Sequence, residues 1–194
     1  MRKIGMALIL ASLLSVSHGW AGVEENKITD NKTRLEYARV LSYQKKYDEA
    51  LAEYQKVLNE DPSLIEAKIE MAKVYYYQKE YEKAVTTLNE LPKKELTPEL
   101  YIILGDTYVA QKDYGKAEKA YEVALEANPK NDLIKMKIAD LLSWQKKYDG
   151  ALEIYQKLVL EHPDDVQLRR KYAMILIWAG KDREAAQELK KTLK

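Results

Sequence analysis

The sequence predicts an all-α protein, a solenoid of about five stacked helix pairs. Three observations carry this. A small residue recurs at a spacing of 33 or 34, at Ala38, Ala72, Gly105, Ala139 and Ala173. A second alanine keeps step at Ala50, Ala84, Ala117, Ala151 and Ala185, and four residues after each stands a bulky one: Tyr54, Leu88, Tyr121, Tyr155 and Leu189. The string Leu41-Ser42-Tyr43-Gln44-Lys45-Lys46-Tyr47-Asp48 returns as Leu142-Ser143-Trp144-Gln145-Lys146-Lys147-Tyr148-Asp149, three repeat periods later. Self-similarity at this period marks supersecondary units that cannot bury their apolar faces alone and must stack.

The repeats fall at about residues 31–64, 65–97, 98–131, 132–165 and 166–194. Thr33-Arg34-Leu35-Glu36 has the capping-box form and is expected to open the first helix, as Ser63-Leu64-Ile65-Glu66 opens the third. Thr97-Pro98 starts the third repeat, with proline in the first turn where its missing N–H does no harm. Pro62, Pro129 and Pro163 stop the helices before them. Asp48, Asp113, Asp149 and Asp182 lie at the break inside a repeat, where aspartate can cap the second helix. Within each repeat the two alanine columns let the helices approach closely. Tyr47, Tyr81, Tyr114 and Tyr148 are expected to wedge between neighbours. No long linker interrupts the array, so it reads as one continuous solenoid over residues 33–194.

Ahead of the array, Arg2 and Lys3 precede an apolar run from Ile4 to Val16, and Gly19-Trp20-Ala21 supplies small residues for cleavage. Residues 1–21 therefore read as a secretory signal, followed by a flexible leader over 22–32. The run is shorter than the ~20 residues a spanning helix needs, so no membrane span is expected after cleavage. The expected location is the periplasm or outside the cell.

Removing Arg2 and Lys3 changes the balance from 32 basic against 31 acidic residues to 30 against 31. No basic stripe exists to displace counterions from nucleic acid, which excludes that partner. There is no cysteine, and after cleavage the one remaining histidine is His162, so no cofactor or metal is expected.

At this point the residues resemble the tetratricopeptide repeat (TPR) family, whose signature runs W-x2-L-G-x2-Y…A-x3-F…P. The third repeat fits best, with Tyr101, Leu104, Gly105, Tyr108, Ala117, Tyr121 and Pro129. Elsewhere Arg34, Lys68, Lys135 and Arg169 replace the first aromatic, and Tyr or Leu stands for the later Phe. The wording Leu-Ser-Trp-Gln-Lys-Lys-Tyr-Asp-Gly-Ala-Leu is also similar to TPR segments of bacterial exopolysaccharide-export and outer-membrane proteins.

The resemblance implies a right-handed superhelix, with the first (A) helix of each repeat lining a concave groove. Projected onto that face, one column reads Tyr43, Tyr77, Ala110, Trp144 and Trp178, with Tyr76 and Ile177 close by. A second reads Arg39, Lys73, Asp106, Asp140 and Met174, and a third Leu35, Ile69, Ile102, Met136 and Arg170. The expected groove is aromatic along one track, basic at its start and acidic in its middle. Arg39, Tyr43, Lys73, Tyr76, Tyr77, Asp106, Asp140, Trp144 and Trp178 are the candidate partner-binding residues. The carboxylate-clamp asparagines of the family have no counterpart, so a neutral, mixed or positively charged partner is expected.

Asp106 and Asp140 could also stand at the separation of an acid–base pair in inverting glycosidases. An open groove with Lys73 nearby supplies neither enclosure nor a raised pKa, so no catalytic residue is assigned. At the ends, a final helix over Arg183 to Leu193 is expected to cap the array with a narrow stripe of Ala185, Ala186, Leu189 and Leu193. The first A helix is expected to expose Tyr37 or Leu41. The sequence thus points to an exported, non-enzymatic adaptor for an extended protein or peptide in an envelope assembly or export system, with a polysaccharide as the second candidate.

Overall fold

The computed structural model describes residues 30–193, and within them the chain is all-helical with no strand. Ten α-helices follow in order among these residues: α1 (30–43), α2 (Tyr47–Glu60), α3 (Ile65–Tyr77), α4 (Tyr81–Asn89), α5 (Pro98–Ala110), α6 (Tyr114–Ala127), α7 (Asp132–Trp144), α8 (Tyr148–Glu161), α9 (Val166–Trp178) and α10 (Asp182–Lys190). The expected signal over 1–21, and all of the leader except residues 30–32, lie outside the described residues. Those three are already helical, which places Thr33 inside α1 rather than at its cap. Asp30 pairs with Arg34 one turn on, at 2.9 Å, and supports this earlier turn.

Two compact units result, one ending at Gln78 and one beginning at Lys79. The division falls inside the second repeat, where the sequence reads as uninterrupted. The second helix of that repeat, α4, has 9 residues where α2, α6 and α8 have 14, and so carries little more than two turns of packing surface.

In the first unit α2 packs on α3, around a core of Leu35, Ala38, Leu41, Ala50, Tyr54 and Val57 with residues of α3. Leu41 is buried there, while Tyr37 and Val40 are exposed, so of the two residues expected at the open end only Tyr37 reaches solvent. Tyr47 stacks on Tyr77 of α3 with ring centroids 6.3 Å apart, the wedge expected of it. In the second unit α5 packs on α6, α7 on α8 and α9 on α10, and the pairs join through α4–α5, α6–α7 and α8–α9. Both alanine columns are buried along the chain, with Tyr54, Leu88, Tyr121 and Tyr155 buried beside them. The close approach is tightest at Gly105, where a Cβ would stand 2.3 Å from Cε1 of Tyr121.

The helix starts use only some of the caps expected. Ser63 does not cap α3: its N–H and hydroxyl both donate to the Asp61 carboxylate, and Leu64 holds the N-cap position without a side-chain bond. Of the four aspartates, Asp113 caps α6 through the Lys116 N–H, while Asp182 sits one residue and Asp48 and Asp149 two residues past the N-cap, inside the first turn. There they still face the positive end of the helix dipole. Thr97 caps α5 as expected, and Asn131 and Asp165 cap α7 and α9.

Helix ends follow one rule. Lys45, Lys79, Lys112, Lys146 and Gly180 occupy the same place in successive repeats, and all have φ between 60° and 75°. At Lys45 the N–H donates to the Ser42 carbonyl and the next N–H, of Lys46, donates to that of Leu41, a Schellman cap. The same pair of bonds closes α5, α7 and α9. Four of the five positions hold lysine in a left-handed conformation that costs a side-chain-bearing residue about 1–2 kcal/mol. A cation beside the helix C-terminus offsets part of that cost. The terminal helix stops at Lys190, three residues short of the expected end, with the Thr192 N–H and hydroxyl both donating to the Leu189 carbonyl. Leu193 is therefore exposed; Ala186, within α10, also faces solvent, and the apolar stripe reduces to Ala185 and Leu189.

Candidate functional site

The candidate residues divide between the two units. In the first, Arg39 of α1 pairs with Glu66 and reaches Glu70 at 4.0 Å, both on α3. Lys73 lies 3.4 Å from Glu70. Tyr76 and Tyr77 are adjacent tilted rings with centroids 5.5 Å apart, and Tyr43 is the most open ring described, 84 % exposed. The expected basic start of the groove is thus an ion-pair network beside exposed tyrosines.

In the second unit Asp106 and Asp140 are likewise engaged. Asp106 accepts from the Tyr121 hydroxyl at 2.6 Å and from Lys137 Nζ at 2.7 and 2.8 Å. Asp140 accepts from the Tyr155 hydroxyl and from Lys171 Nζ at 3.0 Å. Burial, reinforced by the bond to Asp140, pushes the Tyr155 hydroxyl well above the usual phenol range. Each aspartate therefore bonds a buried tyrosine of its own repeat and a lysine of the next A helix. The expected acidic middle of the groove is cancelled by these ammonium groups, and neither carboxylate is presented as a free acid or base. Lys137 and Lys171 were missed by the sequence reading, although each follows its aspartate by 31 residues.

The residues that do converge on an open site are Asp140, Trp144 and Trp178. They line a groove of about 310 Å³ between α7 and α9, together with Gln167, Arg170 and Met174. Trp144 is 50 % exposed, Trp178 49 % and Met174 50 %, so three large apolar side chains face water in one place. Lys171 neutralises Asp140, and Arg170 is exposed outside that pair, leaving the groove with excess positive charge. The third column otherwise serves packing: Leu35 is buried, and Ile102 and Met136 lie against core clusters.

A further polar cluster, not expected from the sequence, joins the start of α7 to the end of α8. One ligand atom each from Asp132, Glu161 and His162 lies within 4.8 Å of the others. Lys135 Nζ stands among them, 2.8 Å from Asp132 and 3.7 Å from Glu161, so an ammonium already fills the place of a cation. The bond from Lys135, assisted by His162, holds the Asp132 carboxyl below its usual range.

Stacked helix pairs with small-residue seams and exposed rings on the A helices define a helical-repeat protein of the interaction-scaffold class. The chain belongs to the tetratricopeptide repeat family: residues 30–143 match the tetratricopeptide repeat-like domain, and residues 145–194 match a tetratricopeptide repeat. The fold is similar to that of MamA protein, with a TM-score of 0.73 at 21% identity over 84% of this chain and 90% of that one. It is similar to a tetratricopeptide repeat protein from Parabacteroides merdae ATCC 43184, at TM-score 0.71 and 25% identity over 83% of this chain and 63% of the other. YrrB, described as a TPR protein with an unusual peptide-binding site, matches at TM-score 0.68 and 21% identity over 88% of each chain. No curated protein matches the sequence. Among the described residues, no helix is long and apolar enough to cross a membrane.

Proposed function

We propose that this chain is an exported, non-enzymatic scaffold that holds an extended, acidic segment of a partner protein across α7 and α9. The carrying observation is the pair of half-exposed indoles, Trp144 and Trp178, on one groove with Met174 and the unneutralised charge of Arg170. Exposed apolar side chains gathered in a concave patch mark a contact surface, and tryptophan and arginine are the residues most often dominant in one. The excess positive charge replaces the earlier expectation of a neutral, mixed or positively charged partner, because that expectation counted Asp106 and Asp140 as free. The peptide-binding site named for YrrB supports the same class of ligand.

A polysaccharide track has less behind it. Within α5–α9 the aromatic column holds Ala110 and two rings, and the charged neighbours suit a polar backbone with carboxylates better than a neutral glycan. The periplasmic or secreted location, and a role in an envelope assembly or export system, rest on the basic start and apolar run of residues 1–21.

Peptides selected from a random library against the full chain test the reading. Acidic sequences with an apolar residue should be enriched, should shift the tryptophan emission, and should lose affinity as salt is raised. Selection of basic or uncharged sequences would contradict it. Intact mass of the protein recovered from an envelope fraction tests export. Loss of residues 1–21 is expected, and a retained Met1 would replace release with anchoring.

A further inference from the structure

A second cavity lies where the repeat pattern is broken. Helix α4 ends at Asn89 after 9 residues, Pro92 follows, and a short 3-10 turn over Lys93–Glu95 leads the chain to Thr97. The last turn that a 14-residue partner helix would supply is missing. In its place is a cavity of about 330 Å³ bounded by this connection, α5 and α6. Its size falls at the lower end of the range for ligand pockets. Leu91, Leu104 and Ala120 are buried at its floor, and Tyr101, Tyr108 and Val123 line the rest.

Its charge is one-sided. Every charged residue lining the cavity is a lysine: Lys93, Lys116 and Lys119. Lys116 is tied to Asp113 at 2.7 Å and lies over the Tyr108 ring, 5.5 Å from its centroid. Lys93 and Lys119 enter no ion pair among the described residues and are exposed. Neither acid of α5 lines the cavity: Glu99 is not among its walls, and Asp106 bonds to Tyr121 and Lys137.

The geometry points to a second docking site here, independent of the α7–α9 groove: an apolar socket rimmed by lysines, which takes a bulky apolar side chain flanked by carboxylates on a partner protein. The apolar floor supplies the contact area, and the ammonium groups fix the sign of the flanking charge. Two sites on one chain would let a single scaffold hold two segments, with the gain in avidity that linkage brings.

Titration of the isotopically labelled chain with the peptide acetyl-Asp-Glu-Leu-Phe-Asp-Glu-amide tests it by amide chemical shift. Shifts are expected at Tyr101, Tyr108, Ala120 and Val123, and the basic counterpart acetyl-Lys-Lys-Leu-Phe-Lys-Lys-amide should produce none. Lys93→Glu with Lys119→Glu should weaken binding at this site at least tenfold while the helical circular dichroism stays constant. The single change Lys119→Glu serves if the double variant is unstable. Trp144→Ala with Trp178→Ala should leave this site's affinity unchanged, which separates its fate from that of the other groove. Shifts confined to α7–α9, equal binding of both peptides, unaltered affinity after charge reversal, or no shift at millimolar peptide would each overturn the proposal.

Discussion

The two compact units use the same helix pair but treat one buried contact in opposite ways. In the second unit, Tyr121 and Tyr155 end on Asp106 and Asp140, and each aspartate also holds a lysine of the next A helix. In the first unit the equivalent of those aspartates is Arg39. A guanidinium only donates, so it cannot receive the proton of Tyr54. It turns to Glu66 and Glu70 of α3, and the Tyr54 hydroxyl is left buried without a partner. Burial pushes that hydroxyl up to about 12. The ion pair between successive A helices thus survives a reversal of its polarity, but only one polarity also satisfies the tyrosine. Charge order along the array is set by this internal pairing as well as by any partner.

The largest effect should come from the small-residue seam. Ala38 in the first unit and Ala139 in the second already carry a Cβ, whereas at Gly105 a Cβ would meet the Tyr121 ring at 2.3 Å. Gly105→Leu should cost at least about 3 kcal/mol and Gly105→Ala about 1–3 kcal/mol, read by denaturant unfolding. A neutral Gly105→Ala would show that the close approach relaxes freely.

Next come the tyrosines themselves. Tyr121→Phe and Tyr155→Phe each remove a bond to a charged acceptor and should cost about 1.5–3 kcal/mol. Tyr54→Phe removes a hydroxyl with no partner and should be neutral or stabilising by about 1 kcal/mol. Equal losses in all three would erase the contrast between the units.

A smaller gain is expected at the helix ends. Lys112→Gly places the residue suited to φ 61° where lysine now stands, as Gly180 does in the last repeat. Relief of the left-handed strain, less the entropy glycine brings to the unfolded chain, should stabilise by about 0.5–1 kcal/mol. A loss would show that the lysine's charge at the helix end outweighs its strain.

The smallest effect at neutral pH is one of titration. The unfolded tyrosine ionises near pH 10, whereas burial raises folded Tyr54 and Tyr155. Stability from this source is complete below about pH 10 and is lost as pH rises through the folded values. Tyr54→Phe should flatten the alkaline fall in melting temperature, over and above any rise it brings at pH 7.

The repeat seam was legible in the sequence because close helix packing demands small residues, and Ala38, Gly105 and Ala117 sit at fixed intervals for that reason. The caps were less so. Ser63 was claimed by Asp61, and three aspartates fell one or two residues inside their helices, a shift that local pattern does not resolve. The left-handed lysines were visible as a recurrence, but lysine gives no sign of positive φ in the way glycine does. Within the candidate site, the period puts Trp144 and Trp178 in one column, and the family resemblance supplied the face that column lines. The charge of the groove could not, because Lys137 and Lys171 act across the seam between repeats, and reading each repeat alone leaves Asp106 and Asp140 looking free.

The central claim is that Trp144 and Trp178 are contact residues rather than core. Trp144→Ala and Trp178→Ala, measured together for melting temperature and for affinity toward a selected acidic peptide, test it most directly. Half-exposed rings should leave the melting temperature within a few degrees of the parent, while affinity falls about thirtyfold, the ~2 kcal/mol typical of a dominant contact residue. A collapsed melting temperature, with the loss of ~3–5 kcal/mol that follows truncation of a buried ring, and unchanged affinity would contradict the account.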